Sequence, residues 1–207
     1  MTVALTQRSQ SIPLLQRAYL PTVLLAMNLS ALRDSYTAAH QRRVGHLAEA
    51  IALEMGLDSL RAHGILVAGF LHDLGKIKIP AEILVKPAPL SDLEYLFVKQ
   101  HVQVGYDVLK SIEFPWPVAD MVYQHHERLD GSGYPRQLKG DEILLDSHAL
   151  IVADVVESIS SHRPYRPAHG IDAALVEIER GSGTLFDPAA VAACLRLFRE
   201  KQYSIPE

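Results

Sequence analysis

Apolar residues recur at spacings of three and four in one stretch of this chain after another, and no stretch of any length alternates with period two. That spacing marks a helix with one face in a core, whereas a half-buried strand needs strict alternation. The pattern predicts an all-α fold. Between residues 22 and 55 it runs through Val44, Leu47, Ala48 and Ile51, and Gly56 ends it. Asp58 is placed to cap a second helix, which reads through Leu60, Ile65, Leu66 and Phe70 to Leu74 and stops at Gly75. Pro80, Pro87 and Pro89 predict a loop over 76–90, and Ser91 with Glu94 forms a capping box opening a helix to about Lys110. Further helices are predicted over 117–127, 146–161, 171–180 and 188–201, the last capped by Asp187 with Pro188 in its first turn. The main irregular segment, residues 130–141, contains glycines and is long enough to suggest a functional loop.

The 207 residues, 48% apolar and 21% charged, suit one globular domain with its own core. A formal charge of -4 provides no general basic field for long nucleic acid, although a small anion needs only a local positive cluster. The single cysteine, Cys194, excludes an internal disulfide and any multi-cysteine metal site. It lies among apolar residues, reads as a core side chain, and fits a reducing cytoplasm. Residues 1–12 read as a polar tail. The apolar stretch over 19–32 follows Arg8 and Arg17, as a signal peptide would, but Pro21 and Asn28 interrupt it and it is too short to cross a bilayer. No membrane attachment is expected.

Polar groups interrupt the apolar helices at particular places. His72 and Asp73 end one, in the run Leu-His-Asp-Leu-Gly-Lys; His125 and His126 close another; Asp154 interrupts the apolar run 150–156. A buried imidazole or carboxylate without a partner costs a few kcal/mol, so such groups are hydrogen-bonded or bound to metal. Any one alone would read as a hydrogen-bonded core residue. Together they point to a shared metal centre, and with no cysteine the donor set suits zinc, iron or manganese. An aspartate beside a histidine can bridge two metals through its two oxygens. A dinuclear site of that kind clamps both the attacking hydroxide and the phosphodiester oxygens.

His72-Asp73 with Gly75-Lys76, followed by the unbroken run His125-His126-Glu127-Arg128-Leu129-Asp130-Gly131-Ser132-Gly133-Tyr134-Pro135, resembles the signature of HD-GYP domains, a branch of the HD phosphohydrolase superfamily. The likeness continues in His40 with Arg43-Val44, Ile79-Pro80, Lys86-Pro87, His101 with Gly105, Val152-Ala153-Asp154 and Arg163-Pro164-Tyr165-Arg166, over about residues 34–200. It implies an HD-domain helical bundle with a long Gly-Tyr-Pro loop over 34–207, preceded by a tail and lead-in helix over 1–33. It also implies a metal-dependent phosphodiesterase that opens cyclic di-GMP to linear pGpG, with onward cleavage to GMP left open.

By the same resemblance, His40, His72, Asp73 and Asp154 would hold one metal and Asp73, His101, His125 and His126 the other, with Asp73 as the bridge. Iron is the first expectation for both ions, with manganese or zinc as alternatives. Lys76 would meet the scissile phosphate and share the catalytic role with Asp73; Gly133, Tyr134 and Pro135 would shape the loop beside the guanine; Arg163 and Arg166 would meet the phosphates.

Two departures from the family pattern stand out. Tyr36 takes the place of a glutamate that can support a third metal, and Glu157 replaces the second aspartate of Asp-x-x-Asp, moving its charge by one methylene. His46, His63, His148, His162 and His169 match no ligand position, and Arg42-Arg43 reads as a solvated helix face. The residues leave two other functions open: hydrolysis of another cyclic dinucleotide or phosphoester, and a non-catalytic adaptor binding a nucleotide or a partner such as a diguanylate cyclase. The roughly thirty residues ahead of the resemblance are too few for a sensory or receiver domain, so the expectation is either a stand-alone domain or a regulator, such as a sensor partner, on a separate chain.

Overall fold

A computed structural model describes residues 19–30, 35–162 and 168–206, with the backbone alone for Ser35, Tyr36 and Thr37. Among them the chain is helical, its only bridges being isolated ones between Asp130 and Lys139 and between Ser182 and Phe186. The elements are α1 (19–30), α2 (Ser35–Glu54), α3 (Ser59–Leu71), a 3-10 turn (Leu74–Lys78), α4 (Ala81–Leu84), α5 (Asp92–Lys99), α6 (His101–Leu109), α7 (Val118–Gln124), a second 3-10 turn (Gly140–Glu142), α8 (Leu145–Ser160), α9 (Ile171–Arg180) and α10 (Pro188–Arg199).

The Asp58 carboxylate accepts from the backbone N–H groups of Leu60 and Arg61 at 3.0 Å each, satisfying donors that the first turn of α3 would leave bare. Every residue from Ala62 to Leu71 is buried. A helix apolar on all sides belongs at the centre, and α3 is enclosed by α2, α7 and α8. The Val44, Leu47, Ala48 and Ile51 stripe of α2 is wholly buried against it. Asp187 caps α10 through the Ala190 N–H at 2.8 Å, and α9 and α10 cover α8 and α2 from outside. Cys194 is buried in that layer, where desolvation pushes its thiol up to about 12. No helix of the described residues is long and apolar enough to cross a membrane.

Besides an earlier end to α7, at Gln124 instead of 127, the described residues differ from the periodicity in three places beside the site. First, α3 ends at Leu71, so His72 and Asp73 leave the helix and the chain tightens into the 3-10 turn. Second, the segment expected as loop carries that turn and the single turn of α4. Third, the helix predicted over 91–110 divides at Gln100, whose N–H bonds back to the Phe97 carbonyl at 3.1 Å. The capping box of Ser91 and Glu94 opens the first half, and His101 opens the second. Apolar spacing is similar on both sides of Gln100, so the pattern carries no mark of the break.

Gly75 positions these pieces. A Cβ there would lie 1.9 Å from the His101 carbonyl oxygen and 2.8 Å from the Gly105 nitrogen, so the 3-10 turn rests directly on the backbone of α6. That contact places Asp73 and Lys76 beside His101.

Candidate metal centre

Seven side chains from five places in the chain meet in the middle of the bundle. His40 comes from α2, His72 and Asp73 from the end of α3, His101 from the start of α6, His125 and His126 from the end of α7, and Asp154 from the middle of α8. Asp73 lies between two groups of imidazoles. Its Oδ2 is 3.6 Å from His40 Nε2 and 3.4 Å from His72 Nε2, while its Oδ1 is 3.5 Å from His101 Nε2. Asp154 Oδ1 closes the first group, 3.3 Å from His40 Nε2 and 3.8 Å from His72 Nε2. In the second group His101 Nε2 and His125 Nε2 are 3.3 Å apart, and donor atoms of His101, His125 and His126 all lie within 4.8 Å of one another. Bare nitrogens and carboxylate oxygens crowded this closely, and this deeply buried, are suited to divalent metal.

The inward-facing nitrogens are set from behind. Nδ1 of His72, His101 and His125 lies 2.7, 2.7 and 2.6 Å from the carbonyl oxygens of Gly69, Val98 and Val122, each three residues earlier. A carbonyl only accepts, so each Nδ1 carries the hydrogen and each Nε2 presents a lone pair to the centre. For His40 the same role falls to the buried carboxylate of Glu157, which also takes Arg43 Nε at 2.6 Å and Ser161 Oγ at 2.8 Å.

The Gly-Tyr-Pro loop is fastened to the segment that supplies two of these histidines. The fully buried Glu127 carboxylate accepts from the N–H groups of Arg136 and Leu138 at 2.7 and 3.0 Å. A Cβ on Gly133 would lie 2.5 Å from each of Arg128 N, Glu127 Cα and His126 O, so only glycine lets the loop approach. The Tyr134 N–H then bonds to the His126 carbonyl at 3.1 Å, and the Tyr134 ring stacks on that of His126, centroids 4.7 Å apart. A cavity of about 460 Å³ opens over the cluster, a size ordinary for small-molecule sites. Tyr95, Val98, Arg128, Val155 and Ile159 line its walls alongside Lys76 and Tyr134.

The cluster is electrostatically polarised. Burial disfavours the charged form of Asp73, but Lys76, with Nζ 2.6 Å from Oδ2, and His72 outweigh it and hold the carboxyl well below its ordinary value. Asp154 is held down likewise by His40 and His72 against its burial. Burial lowers His101 to about 4 and takes His125 and His126 well below the ordinary imidazole value, so these rings are neutral at neutral pH. His72 goes the other way, since Asp73 and Asp154 overcome its burial and raise it.

All seven expected ligands thus come together, with Lys76 and Tyr134 beside them. Arg163 and Arg166 lie outside the described residues, as does the side chain of Tyr36. Arg43 is a correction: with only 22% of its side chain exposed, it pairs with buried Glu157 instead of facing solvent as Arg42-Arg43 was read. The pairing joins residues 114 positions apart, and a charge run in sequence gives no sign of it. His63 is buried against Trp116, ring centroids 5.5 Å apart, well away from the cluster. Tyr95, Val98, Val155 and Ile159, missed in the sequence, belong to faces of α5 and α8 that come together only at the cavity.

Fold and site together define a helical domain built around a His/Asp cluster suited to divalent metal. A family model described as HD domain matches residues 25–190, and the chain belongs to that family, in its HD-GYP branch. A cyclic di-GMP phosphodiesterase of Thermotoga maritima is 42% identical over 185 residues, covering 88% of this chain and 50% of that protein. The cyclic di-GMP phosphodiesterase response regulator RpfG of Xanthomonas campestris pv. campestris is 41% identical over 166 residues, covering 79% of this chain and 44% of its own. The chain therefore spans about half the length of these curated relatives. The fold matches that of a cyclic GMP-AMP specific phosphodiesterase of V. cholerae with a TM-score of 0.64 at 22% identity, covering 87% of this chain and 49% of that one.

Proposed function

We propose that this chain hydrolyses a phosphodiester bond of cyclic di-GMP, giving linear pGpG, at two divalent metal ions held by its His/Asp cluster. The observation that carries this reading is the placement of Asp73, whose Oδ2 faces His40 and His72 while its Oδ1 faces His101. His40, His72, Asp73 and Asp154 would hold one ion, and Asp73, His101, His125 and His126 the other. The donor set fits, since each Nε2 fixed by its Nδ1 bond is already aimed at the centre. Iron is the first choice, with manganese or zinc as alternatives. Two ions there would activate water as the nucleophile and offset the charge on the phosphate.

The remaining work belongs to the chain itself. Lys76 brings a positive charge to the edge of Asp73, where it can stabilise the pentavalent phosphorus as attack builds charge on its oxygens. The apolar faces of Val98, Val155 and Ile159 give a purine a surface to pack on, and Tyr134 closes the cavity above His126. Arg163 and Arg166 keep the phosphate-binding role that the resemblance implies. A cytoplasmic setting and a diguanylate cyclase or sensor partner form part of the same reading.

Elemental analysis of protein purified without chelator, followed by chromatography of products from cyclic di-GMP, tests it. Two ions per chain and pGpG are expected, and Asp73→Ala should remove metal and activity together. Intact cyclic di-GMP after incubation, or an Asp73→Ala variant with full metal content, would overturn the proposal. Cyclic GMP-AMP in the same assay measures the preference for the second base.

A further inference from the structure

Arg128 follows the His125-His126-Glu127 run and has no part in the chemistry above. Its side chain lines the cavity together with Tyr95, Tyr134 and Asp154. The guanidinium carbon sits 5.3 Å from the centroid of the Phe186 ring, and Nη1 donates to the Glu127 carbonyl at 2.8 Å. The carboxylate of Glu127, its neighbour in sequence, is engaged with the loop N–H groups of Arg136 and Leu138. Among the described residues no carboxylate forms an ion pair with Arg128.

A guanidinium carries five N–H donors in a planar fork that matches phosphate oxygens. Its one hydrogen bond among the described residues, to the Glu127 carbonyl, leaves donors of that fork for a ligand in the cavity that Arg128 lines. The two phosphodiesters of a cyclic dinucleotide stand on opposite sides of one ring, so when one is held at Asp73 and Lys76 the other must rest elsewhere in the cavity. We propose that Arg128 binds this second phosphate, the one not being cleaved, and thereby makes the site selective for substrates with two phosphodiesters. The proposal rests on the reading of the site as a cyclic dinucleotide hydrolase.

The test compares two substrates on metal-replete enzyme: cyclic di-GMP, with two phosphodiesters, and bis(p-nitrophenyl) phosphate, with one. Arg128→Ala should raise KM for cyclic di-GMP by about tenfold or more with kcat little changed, the mark of lost uniform binding. It should leave kcat/KM for bis(p-nitrophenyl) phosphate unaltered. Arg128→Lys, which keeps the charge and loses the fork, should recover part of the KM. Equal losses on both substrates, or an unchanged KM for cyclic di-GMP, would overturn the assignment. If Arg128→Ala fails to retain its metals, Arg128→Lys supplies the comparison, and loss of metal in both variants would make Arg128 a structural residue and end the proposal. A wild-type enzyme that cleaves bis(p-nitrophenyl) phosphate but not cyclic di-GMP would refute the functional reading itself, and this assignment with it.

Discussion

The buried carboxylate of Glu157 takes the Nδ1 hydrogen of His40, and so leaves Nε2 as the nitrogen of that ring facing Asp73 and Asp154. Burial works against the charge on Glu157, yet His40 and Arg43 hold its carboxyl at about 2, so it stays ionised throughout the working pH range. Carboxylates behind metal-binding histidines typically contribute about 10–100-fold to metal affinity. Glu157→Gln should weaken metal binding by that factor, read by chelator competition, while the fold persists. Unchanged affinity would mean that the ring is held by its packing alone.

Lys76 touches Asp73, and in the proposed reaction its charge acts on the phosphate. Lys76→Ala should lower kcat by roughly a hundredfold, an ordinary loss for one electrostatic contact in a site of this kind. Metal content should be retained. Steady-state kinetics with parallel elemental analysis separates the two effects, and an unchanged kcat would exclude the residue from the chemistry.

Acid should destabilise the metal-free protein, and the sign follows from the histidines. His101 has a folded pKa of about 4 against an ordinary 6.5, so between those values the unfolded chain binds the proton and the folded chain does not. Stability therefore falls as pH drops through that window. His125 and His126 are shifted the same way. Asp73 and Asp154 add stability that is present above the ordinary carboxylate value of 3.8 and lost as pH falls further. His72, raised, has the opposite sign: its contribution is full below 6.5 and fades as pH rises through its folded value. The majority prevails, and thermal melts of chelated protein should show Tm declining from pH 6.5 towards 4. A flat profile would contradict the burial of neutral imidazoles.

Gly75→Ala drives a methyl group into the backbone of α6, where the nearest atom would be 1.9 Å away. Overpacking of this kind costs about 1–3 kcal/mol or more, and the displacement carries Asp73 and Lys76 away from His101. Denaturant melts and turnover should both fall. Gly105→Ala, whose nearest contact is a Val122 methyl at 3.1 Å, serves as the milder comparison.

The helices were largely legible because burial on one face leaves a spacing in the sequence, as in the Val44, Leu47, Ala48 and Ile51 stripe. The caps at Asp58, Ser91 and Asp187 were legible because their hydrogen bonds are local. His72, Asp73, His125, His126 and Asp154 could be picked out as polar groups in apolar runs. His40 and His101 could not, since Gln41 with Arg42 and Gln100 with Gln103 make their surroundings look like solvated helix; only the family signature singled them out. Arg43 was read as part of a solvated face because its contact, with Glu157, lies across the bundle. Similarly, the break at Gln100 lies beside the place where α6 rests on the 3-10 turn, and no local motif marks it.

The tether at Gly133 limits how such a domain can diversify. Because the loop is bound to the peptide units of His126, Glu127 and Arg128, a replacement loop of different length or without that glycine would drag two proposed metal ligands with it. The walls contributed by α5 and α8 are under no such restraint. Val98 holds His101 Nδ1 through its carbonyl and Val155 adjoins Asp154, so side-chain exchange at Tyr95 and Ile159 is the more open route to a change in what the proposed site accepts.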